Sequence, residues 1–332
     1  VLTRRQVLRT GLAAGALLLA GDASGVPREV VVMPESPHHH HHGGTGTPPP
    51  APGPGPAPTP VPSSALFFDD FTGAAGSLPS SANWVISNIP FSEDPTDGSA
   101  NYVVSPYNSY QDGDSHLVLA VTSPAGATLV KPARGAYNSA RLATFDSMNG
   151  GNVKFAASWG TFSARMQIAP AQGWWPAFWT TGTNITTWPY CGELDISENF
   201  GPGGGAMYQS YANVNGPMGN GDNYGYGDDE QMATPATIET GFHVYSVTIP
   251  QDYSQVSFAY DGTTYATVTK EQWLAKAGEG AQWVYGPDTP QGIILNVDVG
   301  SNVDPAGVGY PSASQQLPAA VLTVDWIQVT QP

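Results

Sequence analysis

The sequence predicts an all-β protein, a sandwich of two antiparallel sheets or a β-jelly roll. Three observations carry this. Segments of five to nine residues, rich in β-branched and aromatic side chains, recur along the chain. Turn chemistry such as Asp112-Gly113, Asn149-Gly150-Gly151 and Asp261-Gly262 lies between them. Long periodic runs of Ala, Glu, Lys and Leu are missing, which excludes a helical bundle. The single cysteine, Cys191, can form neither an internal disulfide nor a thiolate metal cluster, so an apolar core must hold the 332 residues together. The formal charge of −16 lacks the basic footprint of a nucleic-acid binder. Charged residues are 11% of the chain, against roughly a quarter in an ordinary domain, while nine Trp are present. That composition suits an exported, turn-rich protein that leaves aromatic rings in water.

Taken in order, residues 1–23 read as a signal peptide. Arg4-Arg5 followed by Val7-Leu8 resembles a twin-arginine export signal. The apolar run Gly11 to Ala20 is too short to span a bilayer, which takes about 20 residues, and no membrane association is expected once the signal is removed. Residues 24–63 form a linker that cannot build a core. It contains the run His38 to His42, then Pro at alternate positions from Pro52 to Pro62, which favours extended polyproline II and a semi-rigid, otherwise disordered spacer.

Residues 64–332 read as one domain. Strands are expected at Leu66–Phe71, His116–Thr122, Thr161–Ile168, Gly192–Ser197, His243–Ile249, Val256–Tyr260, Gly292–Val299 and Val321–Val329. Asp261-Gly262 joins Val256–Tyr260 to Thr264–Val268 as a hairpin. The one helix candidate is Lys270–Lys276, and Gly201 to Gly227 reads as a long Gly/Asn/Tyr loop.

The chemistry concentrates in Glu193-Leu194-Asp195-Ile196-Ser197-Glu198. Regular alternation puts Glu193 and Asp195 on one face and turns Glu198 inward, where an unpaired carboxylate is costly. A β-bulge near Ser197 adds one residue and returns Glu198 to the acidic face. Three carboxylates in one groove raise the pKa of at least one member by like-charge repulsion and desolvation. Glycoside hydrolysis needs such a pair, one ionised and one protonated. Ca²⁺ binding and a solvated strand face compete with that reading. A solvated face predicts basic partners nearby, yet no Lys or Arg lies between Arg165 and Lys270. Just upstream stand Trp174, Trp175, Trp179 and Trp188, whose faces can stack on pyranose rings or fill the core.

The run Gly173–Trp179, then Trp188-Pro189, then Glu193–Glu198 resembles the family 16 glycoside hydrolases, the laminarinase (endo-β-1,3-glucanase) group especially. The likeness spans about residues 66–330. It implies a jelly roll with a concave substrate cleft and a retaining mechanism. By resemblance Glu193 is the nucleophile, Glu198 the general acid/base and Asp195 their assistant. Trp174, Trp175, Trp179, Trp188 and Asn296 are substrate-binding, and Asp325 matches a position that often ligates a structural Ca²⁺. No cofactor is implied for catalysis. The expected partner is a β-glucan polysaccharide, acted on outside the cell by a monomer. The six-residue, bulged form of the motif favours β-1,3-glucanases and galactan-cleaving relatives. A mixed-linkage glucan or galactan substrate, and a glucan-binding jelly roll without catalysis, remain open. The chain departs from the laminarinase pattern in lacking a His in Met207–Asn213, in carrying Thr161 and Ser163 after Gly160, and in lacking a Trp-Pro-Gly turn in 300–309.

Overall fold

The computed structural model describes residues 64–90, 100–122, 137–201, 208–230, 232–238, 241–300 and 320–332. The expected signal peptide and linker (residues 1–63) lie outside the described residues, as does nearly all of 300–309. In chain order the strands are β1 (Ala65–Asp69), β2 (Val85–Ile86), β3 (Ala100–Tyr102), β4 (Ser109–Gln111), β5 (Leu117–Leu119), β6 (Tyr137–Ser139), β7 (Arg141–Ala143), β8 (Gly160–Ile168) and β9 (Trp174–Gly182). They continue as β10 (Glu193–Glu198), β11 (Tyr211–Pro217), β12 (Asn223–Gly225), β13 (His243–Ile249), β14 (Gln255–Tyr260), β15 (Thr263–Thr269), β16 (Gln291–Val299) and β17 (Leu322–Thr330). Two short α-helices are described, α1 (Tyr226–Glu230) and α2 (Lys270–Ala277), with a 3-10 turn at Ile185–Thr187 before β10.

The strands form two large antiparallel sheets, as the sequence predicts. The outer sheet runs β15-β14-β13-β8-β17-β5-β4, with β1 also paired to β17. The inner sheet runs β12-β11-β10-β9-β16-β7-β2. A small parallel pair, β3 with β6, stands apart. Outer strand β13 alternates buried Tyr245, Val247 and Ile249 with partly exposed neighbours, the pattern of a sheet with one face in water. Inner strands β9, β10 and β16 are buried on both faces. Period-two alternation divides them. Ile293, Leu295, Val297 and Val299 of β16 join Trp174 and Phe178 of β9 and Leu194 of β10 in the main core. Each such large side chain contributes roughly 1.5–3 kcal/mol by leaving water. Their odd-register neighbours form the opposite face, called here the site face.

The expected strands reappear with shifts of a few residues. The hairpin β14–β15 turns at Asp261-Gly262, both at positive φ (47° and 75°). α2 carries a capping box, with the Thr269 hydroxyl accepting from Gln272 N and the Gln272 side chain accepting from Thr269 N. One expectation is corrected. The segment from Gly201 to Gly227 is not one loop, because it holds β11, β12 and the start of α1. In β11, Ala212 and Val214 enter the core while Asn213 and Asn215 face the other way, so asparagines stand where alternation would show obvious polar charges. Tyr224 packs against Trp273 in the core, with ring centroids 5.8 Å apart, and Tyr226 leans on the same core.

Candidate active site

The acidic strand β10 pairs with β9 and β11, and its register decides where each carboxylate points. Glu193 stands opposite Thr181 and Asn215, and Asp195 opposite Trp179 and Asn213. Then one residue is added. Ser197 pairs with Phe178 and Glu198 with Ala177, so β10 carries an extra residue between rungs that are adjacent on β9. This is the β-bulge the alternation argument demands. Ile196 goes into the core, Ser197 bonds Ser210 (Oγ to Oγ 2.7 Å), and Glu198 returns to the site face beside Glu193 and Asp195. Gly192 opens the strand at φ 71°, and a Cβ there would lie 2.9 Å from Val284 Cγ2. Glycine is therefore required where the chain enters β10.

All three carboxylates are nearly buried, at 9, 2 and 5% exposure for Glu193, Asp195 and Glu198. Burial of this kind demands hydrogen-bond donors. Glu193 accepts from Trp188 Nε1 at Oε2 (3.1 Å) and from Asn215 Nδ2 at Oε1 (3.1 Å). Asp195 Oδ2 accepts from the same Asn215 Nδ2 (2.9 Å). Glu198 Oε1 accepts from Trp175 Nε1 (2.9 Å). Each glutamate thus receives one indole N–H. The Tyr285 hydroxyl lies 2.7 Å from the carbonyl oxygens of Glu193 and of Asn215, tying β10 to β11. Burial pushes the Tyr285 hydroxyl well above its ordinary value, and the Glu193 and Asp195 charges add to that. Burial likewise pushes the Cys191 thiol up, and the Glu193 charge adds to it.

Further along the site face, Trp179 Nε1 donates to Asn296 Oδ1 (2.7 Å), and Asn296 Nδ2 donates to the Tyr102 hydroxyl (3.2 Å). The Arg141 guanidinium covers the Trp179 ring at 4.9 Å and donates to Ser147. Phe200 lies against both Trp175 and Tyr211, with centroids 5.3 and 5.8 Å apart, and extends an aromatic wall past Glu198.

The structure therefore brings together Glu193, Asp195, Glu198, Trp175, Trp179, Trp188 and Asn296. It does not bring Trp174 among them. Trp174 is fully buried between the sheets, edge-on to Tyr137 at 5.9 Å, so its expected substrate role is corrected to a core role. Adjacent strand residues point to opposite faces, and only one of Trp174 and Trp175 can face the site. Asp325 pairs with the Arg165 guanidinium on the outer sheet, far along the fold from β10. Among the described residues no group of three or more His, Cys, Asp or Glu stands ready for a metal. Asp325 Oδ2 is engaged by the Arg165 guanidinium, so a Ca²⁺ at Asp325 would have to use the other carboxylate oxygen or displace that pair. Sequence reasoning missed Asn215 and Tyr285. The alternation of Ala212, Asn213, Val214 and Asn215 is the signal that could have found the former.

A family model for glycosyl hydrolases family 16 matches residues 99–328, more than half of the chain. The chain belongs to that family. As a family 16 glycoside hydrolase it also has solved structural neighbours. An endo-1,3-β-glucanase from Streptomyces sioyaensis is 27% identical, with 83% of this chain and 99% of that chain covered and a TM-score of 0.62. An endo-β-1,3-glucanase from Pyrococcus furiosus is also 27% identical, with 80 and 93% covered and a TM-score of 0.59. The laminarinase from Rhodothermus marinus, at 23% identity over 81 and 97% with a TM-score of 0.60, shares the fold. No curated protein sequence matches. The family 16 match begins after β1 and β2, of which β1 is the strand expected at Leu66–Phe71.

Proposed function

We propose that this family 16 hydrolase is an exported, retaining endo-β-1,3-glucanase, with Glu193 as nucleophile and Glu198 as general acid/base. One observation carries the proposal. The bulge in β10 sets Glu193 and Glu198 on the same face, each with an indole N–H on one oxygen, inside a wall of aromatic rings. The 27%-identical structures named as endo-1,3-β-glucanases support the linkage. The Arg4-Arg5 signal supports export.

In the first step a Glu193 carboxylate oxygen bonds to the anomeric carbon as the glycosidic C–O bond breaks, and Glu198 gives its proton to the departing oxygen. Glu198, now ionised, takes a proton from water. The resulting hydroxide oxygen bonds to the anomeric carbon and releases Glu193 as carboxylate. Both half-reactions use carboxyl groups for nucleophile and proton, so no cofactor is required by this chemistry. Asp195 shares a donor with Glu193 and holds negative charge beside the oxocarbenium-like transition state.

The test is product analysis on laminarin, mixed-linkage β-glucan, agarose, carrageenan and xyloglucan, with the first-formed anomer followed by NMR. Cleavage of laminarin to oligosaccharides of retained configuration is expected. Inverted first product would reject the mechanism, and cleavage of a galactan alone would reject the substrate. Glu193→Gln and Glu198→Gln are expected to lower kcat at least about a thousandfold, because nucleophile and acid have no substitute in the site.

A further inference from the structure

We propose that Asn215 is a positioning residue of this reaction, holding Glu193 ionised and Asp195 aligned beside it through one side-chain amide that is backed by Asn223. The inference rests on the assignment of Glu193 as nucleophile. The Asn215 Nδ2 group has two hydrogens and two acceptors in reach, Glu193 Oε1 at 3.1 Å and Asp195 Oδ2 at 2.9 Å. One hydrogen for each carboxylate uses the group fully. Both oxygens must then present lone pairs, which disfavours a proton on either of them.

The amide cannot turn over. A flip would set Asn215 Oδ1 against two carboxylates, and in the orientation that avoids this Oδ1 accepts from Asn223 Nδ2 at 2.8 Å. Residue 225 must lack a side chain for β12 to close on this network. A Cβ on Gly225 would stand 3.0 Å from Asn215 Oδ1, 2.8 Å from Asn213 Nδ2 and 2.6 Å from Asp228 Oδ2. The Asn215 carbonyl is itself held by Tyr285. Sequence, bulge and glycine therefore converge on a single neutral donor shared by two acids.

Among the described residues, the titratable groups near the pair include Glu198 on the same strand, Tyr211 opposite it on β11, Cys191 before it, Tyr285 after α2 and Asp228 on α1. Strand β9 offers Trp179 and Thr181, which do not titrate. Arg141 is the basic group on this face, and it lies over Trp179 on β7. The ionised state of Glu193 accordingly depends on N–H donors, Trp188 on one oxygen and Asn215 on the other.

The experiment compares full-length wild type with Asn215→Ala, Asn223→Ala and Glu193→Ala on laminarin, measuring kcat, KM, the pH profile of kcat/KM and Tm. Asn215→Ala is expected to lower kcat about 10- to 100-fold with KM within about threefold. It should also move the acidic limb of the kcat/KM profile upward by about one pH unit, because the carboxylate loses a donor. Asn223→Ala should move the same limb in the same direction by less, and it carries the test if Asn215→Ala does not fold. A limb that stays in place while Tm and activity fall would overturn the proposal, leaving Asn215 a packing residue. Glu193→Ala separates the two claims. It should be inactive and rescued by azide as a glycosyl azide of inverted configuration. Full activity in that variant would instead reject the nucleophile assignment on which the proposal stands.

Discussion

At the scale of single residues, the site is governed by where buried oxygens find N–H and O–H donors. Trp188 and Trp175 act here through nitrogen as well as through their faces. Trp188→Phe keeps a ring and removes the donor to Glu193, and it is expected to lower kcat about tenfold or more with laminarin, as measured by initial rates. Tyr285 makes a second case. Its hydroxyl is buried against two carbonyls, so Tyr285→Phe should cost about 1–3 kcal/mol near neutral pH. The sign with pH follows from its raised folded-state value. The contribution is fully present below the unfolded tyrosine value of 10.0 and is lost as pH rises through the higher folded value. Tyr245 is raised the same way, and Tyr260 is pushed up to about 12 by burial and then the Asp261 charge. Urea melts from pH 7 to 11 should therefore show wild type falling more steeply above pH 10 than Tyr285→Phe. The three acids were legible in the sequence because carboxylates inside a hydrophobic strand have no structural excuse. Trp174 was misassigned because neighbouring tryptophans look alike until register separates them. Asn215 was hidden because asparagine announces neither burial nor charge.

At the scale of elements, the bulge is the feature that alternation could foresee and periodicity alone could not place. It adds one residue between Asp195 and Glu198 relative to β9. Deleting Ser197 should restore regular alternation, with Ile196 opposite Phe178 and Glu198 still opposite Ala177. That variant is expected to fold and keep measurable activity, losing the Ser197–Ser210 bond and about 0.5–1.5 kcal/mol. Deleting Ile196 and Ser197 together would put Glu198 in the core, and both soluble yield and hydrolysis should collapse. Circular dichroism melts and laminarin assays on the two deletions check this. α2 was legible from its Thr269 cap, and Thr269→Ala should lower stability by about 1 kcal/mol. β9 and β11 were not legible as strands. The first is a Trp-rich run buried on both sides and the second alternates asparagine with small apolar residues, so neither shows the usual contrast between faces.

At the scale of the whole molecule, charge and topology set different properties. The net charge of −16 acts over about a Debye length of 8–10 Å and matters for charged partners. Recognition of a neutral glucan by rings and N–H groups should change less than about twofold in KM between low and moderate salt, whereas a polyuronate should bind poorly and gain from added salt. The two-sheet architecture was readable because the core strands carry their own signature of β-branched and aromatic residues. The order of strands was not, since pairing depends on contacts distant in sequence. β17 shows what that order entails. It lies between β8 and β5 and also pairs with β1, and Gln331 N donates to Ser64 O at 3.2 Å. The outer sheet is thus completed by β17, which comes after every other described strand in chain order. Until that strand leaves the ribosome, β1, β5 and β8 each lack a neighbour, and the β4–β5 edge has nothing to attach to. Until β17 is made the outer sheet cannot shut, and the approach of Gln331 to Ser64 makes residues 64–331 a natural subject for circular permutation.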